Sequence, residues 1–325
     1  MKIVFFGTPY FSSCILEAIL NTNFDVKCVI TSADSKSGRG KKVKSCHLKN
    51  YCKEKNIDYL SPINLSDPQF IKNLESFKAD LFVVVAFKKL PKSIFELPKI
   101  GTINLHTSLL PDYRGASPIN WVLINNEKKT GVSIFFINDK IDQGDIISQS
   151  VINLEIETTA AQLHSQMVKV GSELMTDTLN NIFSNKFKTT TQPIIKNLNK
   201  APKINTQITR INWNESLVDI NNLTRGLSPY ISDNNFLKDK AKCPCAWFFL
   251  EQYGKRKRIK IIKSKIETSN NNSNFHIDTD NKTYLKIHSK FQSICLEFLQ
   301  MEGKRIMSIS EFLLGNPIDS KCRFI

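Results

Sequence analysis

The sequence predicts two domains, an α/β domain built on a parallel sheet and then a smaller β-rich barrel. Three observations carry that expectation. The chain has 325 residues, long for one hydrophobic core and suited to two. Apolar runs alternate with helical stripes as far as about Phe187, the pattern of a sheet covered by helices on both faces. Beyond a polar stretch around 189–206 the apolar runs become short and lie between polar turns, as in small barrels and sandwiches.

The elements follow in order. Ile3–Phe6 is a short apolar run ended by Gly7-Thr8-Pro9, hence a first strand. Ser12 or Ser13 is a candidate cap for a helix carrying Ile15, Leu16, Ile19 and Leu20 at helical spacing. Val26–Ile30 is the next strand. Asp80–Phe87 is apolar without alternation, as a strand buried on both faces should be. Gly101–Leu105 and Gly131–Ile137 complete the strand set. Thr159 opens a helix with Leu163, Met167, Val170, Leu174 and Ile182 on one stripe. Thr189–Pro193 and Asn197–Pro202 read as linker. In the second part, Arg225–Phe236 reads as a helix end and loop. Ala246–Leu250, Ile259–Ile262, Tyr284–Ile287 and Ile294–Leu299 read as short strands. Asn270–Asn274 is a loop tip. The expected division is a domain at 1–188, a linker at 189–206 and a second domain at 207–325.

Composition excludes several classes. Hydrophobic residues make up 41% and charged residues 23%, ordinary for a folded protein and wrong for wholesale disorder. No apolar run reaches the roughly 20 residues that span a bilayer, and the opening segment is too short for a signal-peptide core. A cytoplasmic protein without membrane contact is expected. The eight cysteines are irregularly scattered; Cys243-Pro244-Cys245 is a C-x-C rather than a paired C-x-x-C. Reduced, unligated thiols and no metal are therefore expected.

The net charge is +15, which favours a polyanionic partner. Its distribution sharpens the point. Residues 1–202 carry net +7 and residues 203–325 net +8. Two clusters stand out: Lys36, Arg39, Lys41, Lys42 and Lys44 around Gly38 and Gly40, and the run Lys255-Arg256-Lys257-Arg258. One basic cluster in each domain fits a long anion such as nucleic acid.

The stretch Gly101–Gly115 carries the chemistry. Asn104 and His106 are two apart at a strand end, so their side chains share a face and reach the crevice where open α/β sheets bind ligands. Downstream, Lys140-Ile141-Asp142-Gln143-Gly144-Asp145 forms a loop in which glycine permits positive φ and lets Asp142 turn inward. An amide, a neutral imidazole and a carboxylate suit acyl transfer onto an amine. Asn104 donates to the developing oxyanion, His106 stabilises charge or moves a proton, and Asp142 supports the imidazole.

These motifs carry a family resemblance. Asn-x-His, then Ser-Leu-Leu-Pro-x-x-Arg-Gly, then Asp-x-Gly-Asp about forty residues on resembles the 10-formyltetrahydrofolate-dependent formyltransferases. Phe6–Phe11, the Gly38–Lys42 loop and the Ala201-Pro202-Lys203-Ile204 junction extend the resemblance over both parts, toward the branch that formylates methionyl initiator tRNA. It implies a Rossmann-like catalytic domain and an OB-like C-terminal barrel, with 10-formyltetrahydrofolate as donor and no metal. It implies catalytic roles for Asn104, His106 and Asp142, and a folate site lined by Ser108, Leu109, Leu110 and Pro111. tRNA contacts would fall to Arg39, Lys41 and Lys42 at the acceptor end and to Lys255, Arg256, Lys257 and Arg258 on the barrel. A monomer is expected.

Two departures stand out. The family's Ala-Tyr-Gly-x-Ile-Leu-Pro is Ala86-Phe87-Lys88-Lys89-Leu90-Pro91 here, one residue shorter and without the glycine, and Pro-Trp-Pro is Pro229-Tyr230-Ile231. The rivals are a glycinamide ribonucleotide formyltransferase, which would match the first domain only, and a nucleotide-sugar N-formyltransferase, which needs no two basic clusters. A dinucleotide oxidoreductase would need G-x-G-x-x-G where Gly7 stands alone. A catalytically dead RNA-binding module would not keep all three polar groups.

Overall fold

The computed structural model describes residues 1–37, 42–233, 235–237, 243–268 and 275–325. It separates into two compact units. The first comprises Met1–Gly115, Lys129–Ile152 and Gln166–Lys200; the second comprises Ala116–Lys128, Asn153–Ser165 and Ala201–Ile325. Two earlier pieces of chain thus pack with the C-terminal part. Polar side chains show how: Asn120 Nδ2 donates to the Gly226 carbonyl at 2.7 Å, and Arg225 Nη2 to Asn126 Oδ1 at 3.1 Å.

The first unit is built on strands β1 (Lys2–Gly7), β2 (Asp25–Ile30), β5 (Tyr59–Leu60), β6 (Leu81–Val85), β7 (Gly101–His106), β8 (Lys129–Phe136) and β9 (Ile146–Asn153). A separate short ribbon pairs β3 (Ser35–Ser37) with β4 (Lys42–Lys44) antiparallel. The sheet order is β9-β8-β7-β6-β1-β2-β5. Pairs β1/β2, β1/β6, β2/β5 and β6/β7 are parallel, and the apolar runs of the central strands β1 and β6 are buried on both faces. β7 and β8 are antiparallel, so the sheet is parallel from its β5 edge as far as β7 and changes sense at β8. The Gly131–Ile137 strand was expected to continue the parallel set. A parallel neighbour requires a crossover helix laid on the sheet, and the helix in this connection, α5 (Pro118–Ile124), belongs to the second unit.

The remaining helices are α1 (Tyr10–Leu20), α2 (His47–Lys55), α3 (Pro68–Ser76), α4 (Lys92–Phe95), α6 (Ala160–Phe183), α7 (Leu217–Gly226) and α8 (Ile309–Gly315). Neither Ser12 nor Ser13 caps α1, whose N-cap is Pro9. Ser12 is instead buried, donating to the Val85 carbonyl at 2.6 Å and accepting from Thr8 N at 3.2 Å. It ties β1 to β6. A Cβ on Gly7 would stand 2.5 Å from Ser12 Cβ, so the lone glycine serves close packing. At α6, Thr159 Oγ1 accepts from Gln162 N and Gln162 Oε1 accepts from Thr159 N, a capping box. Its buried stripe runs Leu163, Met167, Met175, Leu179 and Ile182, with Val170 and Leu174 on its flank. No helix among the described residues is long and apolar enough to cross a membrane.

The second unit is a curled antiparallel sheet of β10 (Ala246–Gln252), β11 (Lys255–Thr268), β12 (His276–Thr279), β13 (Leu285–Ser289), β14 (Gln292–Met301), β15 (Ile306–Ser308) and β16 (Arg323–Phe324). Its order is β12-β13-β14-β11-β10-β16, with β15 added to β14. Phe248, Ile259, Ile261, Leu296 and Leu299 fill its inner face, closed by Leu217 and Ile220 of α7 and Phe312 of α8. The 259–262 strand is much longer than its apolar run, because it begins inside the basic run at Lys255. The 270–274 tip lies outside the described residues.

Candidate active site

Chain order reverses between β1 and β6, so the carboxyl ends of β1, β6 and β7 open onto one crevice. β7 delivers Asn104 and His106 there, beside Val84 of β6 and Ser133 of β8. Asn104 is half-buried. His106 is 7% exposed, and its Nε2 lies 2.9 Å from the Tyr113 carbonyl. A carbonyl only accepts, so Nε2 carries a proton, and in a neutral ring Nδ1 is then the atom with the lone pair. Nδ1 lies 3.9 Å from Asp142 Oδ2.

Asp142 reaches this position in a way the sequence did not indicate. It is Asp142 itself, at φ 54°, that takes the left-handed conformation, not the glycine. Gly144 answers to a different demand: a Cβ there would lie 1.6 Å from the Phe136 carbonyl oxygen. The Asp142 carboxylate accepts from Gly115 N at 3.0 Å through the Oδ2 atom that faces the imidazole. Glycine is also missing after β6, where Ala86 adopts φ 48°. Lys89 of that shortened segment donates to the Asp139 carbonyl at 3.3 Å, bracing the Asp142 loop from the other side.

The turn after β7 is braced by side chains with no sequence signature. Ser133 Oγ donates to the Ser108 carbonyl at 2.6 Å and accepts from Leu110 N at 3.0 Å. Gln149 Nε2 donates to Ser133 Oγ at 2.8 Å and to the Leu110 carbonyl at 3.0 Å. Ser108 is fully buried, its hydroxyl donating to the Asp112 carbonyl at 2.7 Å. It shapes the loop and has no hydroxyl to offer a ligand. Leu110 is buried as well, whereas Leu109 and Pro111 remain half-buried at the turn surface. Arg114, the arginine of the Ser-Leu-Leu-Pro-x-x-Arg-Gly motif, is bonded at 2.6 Å to Gln192, which no sequence motif marks.

The basic residues are placed unequally. Arg39 and Lys41 lie outside the described residues, and Lys42 opens β4. Strand alternation divides the run on β11. Arg256 and Arg258 pair with Glu251 and Phe249 of β10, while Lys257 pairs with Leu250 on the core side. Arg256 is bound to Glu251 at 2.5 Å, and the Arg258 guanidinium lies 4.0 Å from the Trp247 ring centroid. Arg210 approaches the same ring at 5.9 Å. Lys257 instead donates to Asn316 Oδ1 at 3.0 Å. Four consecutive cations therefore make two patches.

The eight cysteines form no disulfide. Burial pushes the Cys28 thiol up to about 12 and the Cys52 thiol up to about 11, which makes them inert packing residues.

A crevice of an open α/β sheet that carries an amide, an imidazole and a carboxylate suits transfer of an acyl group. Comparisons with known proteins narrow the class. Family profiles described as "Formyl transferase" and "Formyl transferase, C-terminal domain" match residues 1–179 and 203–317. The chain belongs to this formyl transferase family. It is 42% identical over 315 residues to a methionyl-tRNA formyltransferase of Flavobacterium johnsoniae, covering 97% of this chain and 96% of that one. A methionyl-tRNA formyltransferase of Clostridioides difficile is 35% identical over 323 residues, covering 98% of each. Among solved structures, WlaRD, a sugar 3N-formyl transferase with dTDP and 5-N-formyl-THF, superposes with TM-score 0.64 at 22% identity, covering 94% of this chain and 99% of that one. HypX from Aquifex aeolicus, in complex with tetrahydrofolic acid, gives 0.60 at 14%, covering 96% and 47%. Both likenesses are of fold.

Proposed function

We propose that this chain transfers the formyl group of 10-formyltetrahydrofolate to the free amino group of methionyl initiator tRNA. The observation that carries the chemistry is His106: Tyr113 fixes its Nε2, leaving Nδ1 facing Asp142. The near full-length similarity to enzymes named for methionyl-tRNA supports the acceptor.

In this reading the amine lone pair attacks the formyl carbon, and the carbonyl electrons move onto oxygen. The Asn104 amide donates to that oxyanion, an interaction stronger in the transition state than in the ground state. His106 Nδ1 takes the proton released by the attacking nitrogen while Asp142 stabilises the imidazolium. Collapse breaks the bond from carbon to N10 of the folate, and the proton passes to N10. The products are an N-formyl amine and tetrahydrofolate. No nucleophilic side chain is required.

Leu109 and Pro111, with the backbone of Ser108 and Leu110, line the folate side. The first unit supplies catalysis and the barrel of the second binds tRNA. Arg39, Lys41 and Lys42 meet the acceptor end, and the β11 cations meet backbone phosphates. The protein works as a cytoplasmic monomer without a metal. Purified protein with labelled 10-formyltetrahydrofolate tests the reading. Formylation of charged initiator tRNA, and not of nucleotide-linked amino sugars, is expected; the reverse preference replaces the acceptor.

A further inference from the structure

We propose that Gln192 and Arg114 form a positioning pair that sets the Asp142 loop and so governs turnover without touching the reacting atoms. The proposal rests on the formyl-transfer reading. Gln192 belongs to the aperiodic stretch after α6, yet it is only 7% exposed. Its Nε2 donates to two carbonyls of the loop, Asp142 at 3.0 Å and Gly144 at 2.8 Å. Its Oε1 accepts twice from Arg114, from Nε at 3.1 Å and Nη2 at 2.6 Å. The amide orientation is fixed by chemistry, because a guanidinium only donates and carbonyls only accept.

The connections close a ring. Arg114 is followed by Gly115, whose N–H donates to the Asp142 carboxylate. Asp142 is thus held by its carboxylate from one side and by its own carbonyl from the other. The clamp holds a non-glycine residue at φ 54°, a conformation that persists where its surroundings over-determine it. Among the described residues the Arg114 guanidinium is hydrogen-bonded to Gln192 rather than to a carboxylate, and its charge polarises the Gln192 amide and strengthens its N–H donors. Burial lowers the Arg114 pKa from its ordinary value, against the opposing pull of Asp142 and Asp112. An open groove of about 540 Å³, lined by Arg114, Asn138, Lys140, Gln143, Gln192 and Ile194 among others, gives small solutes access to the pair.

The full-length protein and its Gln192→Ala, Gln192→Glu and Arg114→Ala variants are compared in formylation assays, each also in an Asp142→Asn background. Glutamate keeps the acceptor for Arg114 but has no N–H for the two loop carbonyls, so it should fail as alanine does. Misplacement of this kind predicts a kcat loss of about 10- to 100-fold with the folate KM within about threefold. In the Asp142→Asn background the same changes should cost less than about twofold, since residues acting as a unit are non-additive. Guanidinium ion should restore part of the Arg114→Ala activity and none of the Gln192→Ala activity. Unchanged kcat, or equal losses in both backgrounds, overturns the proposal. If Gln192→Ala does not fold, Gln192→Glu decides by the same criteria. Amide hydrogen exchange over residues 138–145 reads the clamp without substrate: about tenfold faster exchange is expected in Gln192→Ala. Unchanged exchange overturns the pair even for a parent protein that formylates nothing, an outcome which by itself removes only the formyl-transfer reading.

Discussion

The crevice of the first unit and the basic face of the second are assembled in opposite ways. In the crevice a residue distant in the chain is brought in: Asp142, 27 residues beyond Gly115, accepts from Gly115 N and faces His106, whose ring is held by the Tyr113 carbonyl. On β11, residues adjacent in the chain part company, Arg256 and Arg258 facing one way and Lys257 the other. The difference follows from the backbone. A strand sends neighbours to opposite faces, whereas loops braced at several points bring distant groups to one spot. Chemistry at an oxyanion needs donors fixed within tenths of an ångström. Attraction of a polyanion tolerates cations on long, solvated side chains.

That contrast breaks if the crevice residues prove dispensable. Asn104→Ala, His106→Ala and Asp142→Ala are each expected to lower turnover by at least about 100-fold with the protein still folded by circular dichroism. Near-normal turnover in all three would remove the catalytic assignment. Gly144→Ala should come next. Its Cβ cannot coexist with the Phe136 carbonyl 1.6 Å away, so the Asp142 loop must shift. A fall in kcat of about tenfold and a destabilisation of about 1–3 kcal/mol are expected. An unchanged kcat would show that the loop conformation is not needed.

How much of this was legible in the sequence depends on whether a local pattern existed. Asn104 and His106 were, because a two-residue spacing at a strand end has only one geometric meaning. Asp142 was legible as a residue but not in its backbone, since the adjacent glycine drew the expected positive φ to itself. Ser133 and Gln149 act through bonds to a turn more than twenty residues earlier in the chain, at Leu110. Gln192 sits where periodicity fails, and nothing local marks an aperiodic glutamine as buried. The antiparallel β8 and the pieces 116–128 and 153–165 that join the second unit are likewise decided by non-local packing.

The split of the basic run makes the comparison quantitative. Arg256→Ala with Arg258→Ala removes two cations from the face that also carries Trp247, Phe249 and Lys260. It should raise the tRNA KM several-fold and flatten the salt dependence by about 0.7–0.9 per lost phosphate contact, with kcat unchanged. Lys255→Ala with Lys257→Ala should do much less, because Lys257 faces the other way and is already engaged by Asn316. Equal effects from the two pairs would mean that β11 presents one patch, contrary to its register.

The smallest expected effect separates the stability of the second unit from the chemistry of the first. Ser308 opens α8 with a capping box: its hydroxyl accepts from Glu311 N at 3.3 Å, and Glu311 accepts from Ser308 N at 2.9 Å. Ser308→Ala should cost about 1 kcal/mol, a Tm drop of about 2–4 °C for a unit of this size, with kcat on charged tRNA unaltered. Glu311 adds a pH signature. Its hydrogen bond to Arg305, and then that to Ser308 N, hold its carboxyl down to about 2. A carboxyl with a depressed folded-state pKa stabilises the fold above its unfolded value near 4.3 and loses that contribution as pH falls toward about 2. Glu311→Gln should therefore lower Tm at neutral pH, and the difference from the parent should shrink between about pH 4.5 and 2. A Tm difference constant over that range would show that the ionised carboxylate contributes nothing to the cap. A change in kcat at neutral pH would show that the barrel helix reaches the chemistry, against the proposed division of roles between the two units.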